Sequence, residues 1–314
     1  MDVLRSWAVQ DSPPGAAIAA LAARSEVEVG WLDRARYEER TVVALYNPRT
    51  ATAIVPAEEA GAFGTAFLPE DDEGLKAIVG SALPERSEAF AEPVALAVAA
   101  VSDALDGVTL SRDDLHEALR QRLPGELLPW CEGCQSHHAR RGLLVMAGLH
   151  GRLCIAGRAG RAPAFARTDQ LVGWEAPEDA GAQLVRRYHA QYGSSNVAHF
   201  AEWAGIGKAH ARSLWFESDD AGERLDGVRV IAPGDPLLLT RDREALIADP
   251  AWRKRVWSAI PNTGVVLDHH EPVALWKARK QGKRLEVTLT GAAPAEAFET
   301  LAAHRGCTSL RVVD

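Results

Sequence analysis

Residues 93–123 read PVALAVAAVSDALDGVTLSRDDLHEALRQRL, and their punctuation decides how the rest of the chain divides. Val94, Val98, Val101 and Leu105 recur at the spacing of one helical face, which predicts an amphipathic helix. Asp106-Gly107 turns the chain. Val108, Thr109 and Leu110 are β-prone. Ser111, with Asp114 three residues later, has the form of a helix start, and Leu115, Leu119 and Leu123 continue its stripe. Residues 135–149 then supply Leu143, Leu144 and Ala147, which predicts a third helix with Arg140 and Arg141 near its start. After it, RLCIAGRAGRAPAFA (152–166) reads as a hairpin with a Gly-Arg-Ala-Gly-Arg tip. Helix, strand, helix, helix, basic hairpin is the order of a winged helix-turn-helix. In that module the third helix enters the major groove and the wing follows the backbone or minor groove.

Outward from this unit the pattern partly repeats. Leu184, Val185, Tyr188 and Tyr192 mark a helix, and VAHFAEWAGIGKAHARSLW (197–215) gives two short helices around Gly205-Ile206-Gly207. A short wing is expected in ERLDGVRVIAP (223–233), with Asp226-Gly227 as its turn. From Gly264 the residues alternate: VVL, a DHHE turn, PVALWKAR, a KQGK turn and RLEVTLT, then a helix near Phe298 and Leu301 and a last strand, SLRVVD. Before residue 93, PPGAAIAALAARS is helical, RTVVALYNPRTATAIVP is β-prone and EEAGAFGTAFL is helical again. The expected fold class is therefore α+β. Residues 1–92 read as an N-terminal α/β unit, with a truncated winged helix as the alternative. Tandem winged helix-turn-helix units over 93–170 and 171–232 follow, and a small β-barrel-like domain over 233–314 ends the chain.

The 314 residues are 47% hydrophobic and 25% charged, an ordinary globular balance that excludes wholesale disorder and collagen-like architecture. No apolar run reaches the roughly 18 residues that span a bilayer, and MDVLRSWAVQDSPPG lacks the zones of a signal peptide. The expectation is a cytoplasmic protein with reduced cysteines and no membrane partner. No Gly-rich phosphate loop or Gly-x-Ser-x-Gly elbow occurs, which argues against a nucleotide cofactor and acyl transfer. Net charge is −8 but uneven. Residues 57–117 hold 14 acidic and 3 basic residues, whereas 131–170 hold six arginines against Glu132 and Asp169. Residues 251–285 hold eight Lys or Arg against Asp268 and Glu271. An acidic average thus hides two basic stretches. They are either solvated faces or surfaces for a phosphate backbone.

Four blocks carry a resemblance: AVQDSPPGAAIAALAAR (8–24), LVRRYHAQYGSSNVAHFAEWAGIG (184–207), IAPGDPLLLTRDREAL (231–246) and HEPVALW (270–276). Together they resemble the winged-helix DNA-binding proteins that include the AlkZ-like DNA glycosylases, which act on alkylated purines and interstrand crosslinks. The resemblance implies several winged helices, a C-terminal β-barrel and a cleft for double-stranded DNA, hence a nucleoid-associated protein. It also implies a Gln-apolar-Gln motif near the start, where Gln10, Asp11 and Ser12 stand with one glutamine of the two. Where relatives show Phe-Asp-Pro, this chain has Gly234-Asp235-Pro236. An alkylated purine is already cationic and leaves as a neutral base, so the protein has mainly to place a water and stabilise positive charge on the sugar. Gln10 can donate and accept hydrogen bonds, Asp11 can serve as an electrostatic partner, and Ser12 can hold a water. The competing reading of Asp11-Ser12 before two prolines is a turn that caps a helix. On the glycosylase reading, Arg140, Arg141, Arg158 and Arg161 contact one duplex stretch, and Lys277, Arg279, Lys280, Lys283 and Arg284 form a second basic surface. The rival is a non-catalytic winged-helix DNA-binding protein.

No cofactor is required by this chemistry. One metal alternative stands in CEGCQSHH, where Cys131, Cys134 and either His137 or His138 could hold zinc. The other reading of that segment is a turn that packs two thiols. His269-His270 reads as a hairpin tip, and Trp203, Trp215, Trp252, Trp257 and Trp276 read as core.

Overall fold

The computed structural model describes residues 2–83, 89–160, 162–260 and 262–313. Its helices and strands, in chain order, begin with α1 (Ala16–Ala22), α2 (Trp31–Tyr37), β1 (Val42–Tyr46), β2 (Thr52–Pro56), α3 (Ala60–Ala66) and α4 (Asp72–Val79). Next come α5 (Ala91–Ala104), β3 (Leu110–Ser111), α6 (Arg112–Arg120), β4 (Trp130–Cys131), β5 (Ser136–His137), α7 (Arg141–Leu149), β6 (Cys154–Ala159), β7 (Ala162–Ala166) and α8 (Thr168–Leu171). Then follow α9 (Ala180–Tyr192), α10 (Val197–Ala204), α11 (Lys208–Leu214), β8 (Val228–Ile231), α12 (Arg243–Leu246) and α13 (Pro250–Val256). The last are β9 (Gly264–Asp268), β10 (Glu271–Gln281), β11 (Arg284–Gly291), α14 (Glu299–His304) and β12 (Ser309–Val313). Two compact units emerge. One comprises Met1–Leu32, Arg187–Ser195 and Glu217–Asp314, and the other Asp33–Arg186 and Asn196–Phe216. Among the described residues, no helix is long and apolar enough to cross a membrane.

The unit centred on residues 33–186 is organised by α7. Residues Gly142–Leu149 are all buried, so this helix is apolar on every side and packs against α3, α4, α5 and β1. Gly142 permits the closest of these approaches, because a Cβ there would lie 2.6 Å from the Ile78 carbonyl oxygen. The sheet runs β2-β1-β6-β7-β3, all antiparallel, with Ala44 opposite Ile155 and Leu110 opposite Phe165. The predicted start of α6 is borne out: Ser111 Oγ accepts from the Asp114 N–H at 3.2 Å and donates to its carboxylate at 2.6 Å. The third helix is shorter than predicted. Residues 130–137 form the small β4–β5 hairpin and the helix begins only at Arg141. Burial of residues 142–149 also leaves no exposed flank of α7 to lie in a DNA groove, against the expectation; of this helix only Arg141 is exposed. The predicted pair around Gly205 forms as α10 and α11, with Gly205 in the left-handed region at φ 71.

The other unit joins the two ends of the sequence. Its sheet has the order β12-β11-β10-β9-β8, antiparallel except for β11–β12, which are parallel across the α14 crossover. The sheet is open, not the closed barrel expected, because β8 and β12 form its edges. The hairpin predicted at Asp226-Gly227 does not form; β8 pairs with β9 instead, Val228 opposite Asp268. The DHHE turn does form. His269 and His270 both have positive φ (45 and 77), as a two-residue hairpin turn requires. One sheet face packs Val266, Ala274, Trp276, Leu285 and Val287 on Phe298 and Leu301 of the crossover and on Ala19 of α1. The opposite face packs Val265, Leu267 and Leu275 on Leu237, Leu238, Ile247 and Val256. Trp203 and Trp276 are core residues as expected, at 3% and 2% exposure.

Candidate functional site

Residues 10–12 lie in the unit that joins the termini, immediately before α1. Gln10 is buried and Ser12 exposed. Asp11 Oδ1 accepts the Gly15 N–H at 2.7 Å, ordering the turn that launches α1. The segment is seated on Gly234: a Cβ at that position would stand 3.1 Å from the Ser12 carbonyl oxygen, 3.3 Å from Ala16 Cβ and 3.4 Å from Pro13 Cδ. Gly234 also has φ 84. Crowding and backbone together explain why an aromatic side chain does not stand here. The structure therefore brings together two of the sequence blocks that carried the resemblance, residues 10–12 and 234–236.

Beneath this contact is a saturated ionic hub. Asp235, fully buried, accepts the Leu237 N–H at 3.0 Å and two bonds from Arg24 at 2.8 Å each. Arg24 donates two more bonds to Glu223 at 2.7 Å each and one to the Ala20 carbonyl at 2.8 Å, while Gln191 Nε2 donates to Glu223 at 2.7 Å. Burial alone would lower the basicity of Arg24, but the charges and hydrogen bonds of Asp235 and Glu223 raise it instead. Every guanidinium nitrogen is engaged, so Arg24 fastens α1 to the segments around Glu223 and Asp235 and has nothing left for a substrate. Tyr192 adds a bond from its hydroxyl to the Pro236 carbonyl at 2.9 Å.

The same unit carries the best-assembled cationic surface. Strand register puts Lys277 opposite Thr288, Arg279 opposite Glu286 and Gln281 opposite Arg284, so Lys277, Arg279 and Arg284 share one face of the β10–β11 hairpin. Parallel pairing adds Arg311 beside Glu286, at 3.9 Å. Further along, Arg255 of α13 donates to Thr290 Oγ1 at 3.0 Å. Lys283 is exposed in the turn. Lys280 belongs to the other face, where its ammonium donates to the Arg305 carbonyl. Arg311 was passed over in the sequence, and Arg255 was counted in the basic stretch but not placed on this surface; only the pairing of β12 and the docking of α13 bring them there.

In the other unit the predicted cations are scattered over elements. Arg140 precedes α7 and is exposed; Arg141 opens the helix, its guanidinium 5.9 Å from the Tyr46 ring. Arg158 is exposed on β6. Arg161 falls outside the described residues. Two other arginines of this stretch are spent internally: Arg152 and Arg167 both bind Asp169, and Arg167 also binds Asp106 at 2.9 Å. Lys208 and Arg212, one turn apart and exposed on α11, form a pair that the sequence reading passed over.

Comparison with known proteins bears on this arrangement directly. The family model described as DNA glycosylase AlkZ-like matches residues 3–306, nearly the entire chain and both units. This chain belongs to the AlkZ-like DNA glycosylase family. Among solved structures, the AlkZ-like chain resembles Streptomyces sahachiroi DNA glycosylase AlkZ with a TM-score of 0.74 at 20% identity, over 99% of this chain and 92% of that one. No curated protein matches.

One further cluster in this AlkZ-like chain lies away from residues 10–12 in the sequence. In the β4–β5 hairpin the Cys134 N–H donates to the Cys131 carbonyl at 3.2 Å, and the donor atoms of Cys131, Cys134 and His138 all lie within 4.8 Å of one another. His138, followed by the Cys134 amide and thiol, holds the Cys131 thiol down at about 7, and the shared contact pushes Cys134 up. His137 is exposed and turned to Leu128 and Trp130. Of the two histidines considered from sequence, His138 is the one whose ring nitrogen lies beside both thiols.

Proposed function

We propose that this chain binds double-stranded DNA and hydrolyses the N-glycosidic bond of an alkylated or crosslinked purine, without a covalent lysine intermediate. The observation that carries the reading is the family match through residues 3–306, with residues 10–12 seated on Gly234 inside it. In this reading Gln10 orients the attacking water through its amide, Ser12 holds that water from the exposed side, and the Asp11 carboxylate stabilises the positive charge that develops on the sugar. Lys277, Arg279 and Arg284, joined by Arg311 and flanked by Lys280 and Lys283, take the phosphate backbone. Arg140, Arg141, Arg158 and Arg161 supply a second set of contacts. We read β3, α6, α7 and the β6–β7 hairpin as a winged helix whose wing, not its third helix, faces DNA. A cytoplasmic, nucleoid-associated location follows from that partner.

The test is single-turnover release of 7-methylguanine from duplex DNA. The expected result is release by the wild type that Gln10→Ala abolishes while duplex affinity is kept and circular dichroism is unchanged. Tight binding without release by the wild type would make the chain a non-catalytic DNA-binding protein. The burial of Gln10 and the helix-start bond of Asp11 favour that second reading.

A further inference from the structure

The β4–β5 hairpin consists of two strands of two residues each, far too little pairing to hold itself in water. Its turn brings two thiols and one imidazole to a common point, with no carboxylate in the donor set. A tetrahedral ion with metal–sulfur bonds near 2.3 Å and metal–nitrogen bonds near 2.0 Å separates its ligand atoms by about 3.4–3.8 Å. The observed limit of 4.8 Å is within a side-chain adjustment of that spacing.

The histidine is prepared for coordination. His138 Nδ1 is 2.9 Å from the Ala139 carbonyl, so Nδ1 carries the proton and Nε2 keeps its lone pair. That Nε2 is buried and makes no well-formed hydrogen bond, with the Cys131 thiol as its polar neighbour, an arrangement that costs stability unless something accepts the lone pair. His116 of α6 lies against it, ring centroids 4.4 Å apart, and its Nδ1 is likewise buried without a partner. An imidazole nitrogen without a well-formed bond beside two thiols, with a second orphaned nitrogen on the ring that lies against it, is hard to explain by packing alone.

We propose that Cys131, Cys134 and His138 bind one zinc ion, with His116 as the fourth donor. Two thiols and two imidazoles favour zinc over the hard cations, which seek oxygen. Binding releases the thiol protons to solvent and changes no oxidation state. The role is structural: four protein donors leave no open position, and the ion ties the hairpin to α6 just before Arg140 and Arg141.

The test begins with the full-length chain, expressed with zinc and purified without chelator, and its metal content measured by mass spectrometry. One zinc per chain is expected, lost in Cys131→Ser, Cys134→Ser and His138→Ala but kept in Cys307→Ser. His116→Ala should weaken zinc affinity at least about tenfold in chelator competition. Because the ligand variants can fail to fold, the wild type is also stripped and titrated with cobalt, which should give the thiolate charge-transfer and d–d bands of a tetrahedral site. Absence of zinc together with absence of those bands overturns the proposal, as does full zinc retention in Cys131→Ser. A Cys131–Cys134 disulfide in protein isolated under reducing-compartment conditions overturns it in favour of a redox pair.

Discussion

Arg24 and Arg279 belong to the same unit and meet opposite fates. Arg24 is sunk among three segments, where five hydrogen bonds tie it to two carboxylates and a carbonyl. Arg279 stands exposed on an open sheet face, with a single carboxylate, Glu286, across from it and Arg311 reaching for the same group. A charge count along the sequence weighs the two alike. What separates them is the number of carboxylates that folding delivers to each guanidinium. The same rule operates in the other unit, where Asp169 takes up both Arg152 and Arg167, so six arginines overstate the charge on offer.

The contrast breaks first at Arg24. Replacement by methionine strands the buried Asp235 and should cost about 3–5 kcal/mol in urea unfolding. A loss below about 1 kcal/mol would mean that the hub is not what joins these segments. Asp169→Asn should cost less, about 1–2 kcal/mol, because its arginines keep some access to water. Arg279→Ala is expected to leave stability within about 0.5 kcal/mol while lowering the salt slope of duplex binding by about 0.9. An unchanged slope would remove Arg279 from the DNA contact. The smallest effect sharpens the rule from the opposite side, with a cation that burial disfavours. Desolvation lowers the pKa of His210 below its ordinary 6.5, against the pull of Glu70 at 3.9 Å and of Asp71. The unfolded chain therefore takes up that proton first, and stability should fall as pH drops below about 6.5. His210→Phe should flatten the urea midpoint between about pH 7 and 5, and an unaltered slope would assign the dependence elsewhere.

Local chemistry was legible where a helix cap or a left-handed backbone position sets the chain's direction. The Ser111–Asp114 start of α6, the His269-His270 turn and the Gly205 break between α10 and α11 are all of this kind. Contacts over long separations were not legible. Arg24 finds Glu223 across 199 positions and Asp235 across 211, and no periodicity announces such a meeting. The β5 strand at 136–137 was read as the beginning of a helix, and β4 as a connection, because strands of two residues are too short to show alternation. The open sheet was read as a barrel because alternation reveals strands but not whether the first and last of them pair. At the candidate site, Gln10, Asp11 and Ser12 were legible as a segment, yet their seat on Gly234 was not. In the basic face, Arg311 and Arg255 wait on β12 and α13.

The joining of Met1–Leu32 with Glu217–Asp314 has a consequence for biosynthesis. As the polypeptide leaves the ribosome, Gln10 and α1 emerge well before β8 to β12, the strands of the unit that receives them, are translated. At about 5–20 residues per second the interval is on the order of tens of seconds. Throughout it the alanine-rich face of α1 and the apolar Leu4, Trp7 and Val9 stretch lack the partners that β8 to β12 supply, while most of the segment between Asp33 and Arg186 is already free to condense. Nascent chains should therefore lean on holdase chaperones until β8 to β12 have been made, and the unit that joins residues 1–32 to residues 217–314 should become protease-resistant after the other.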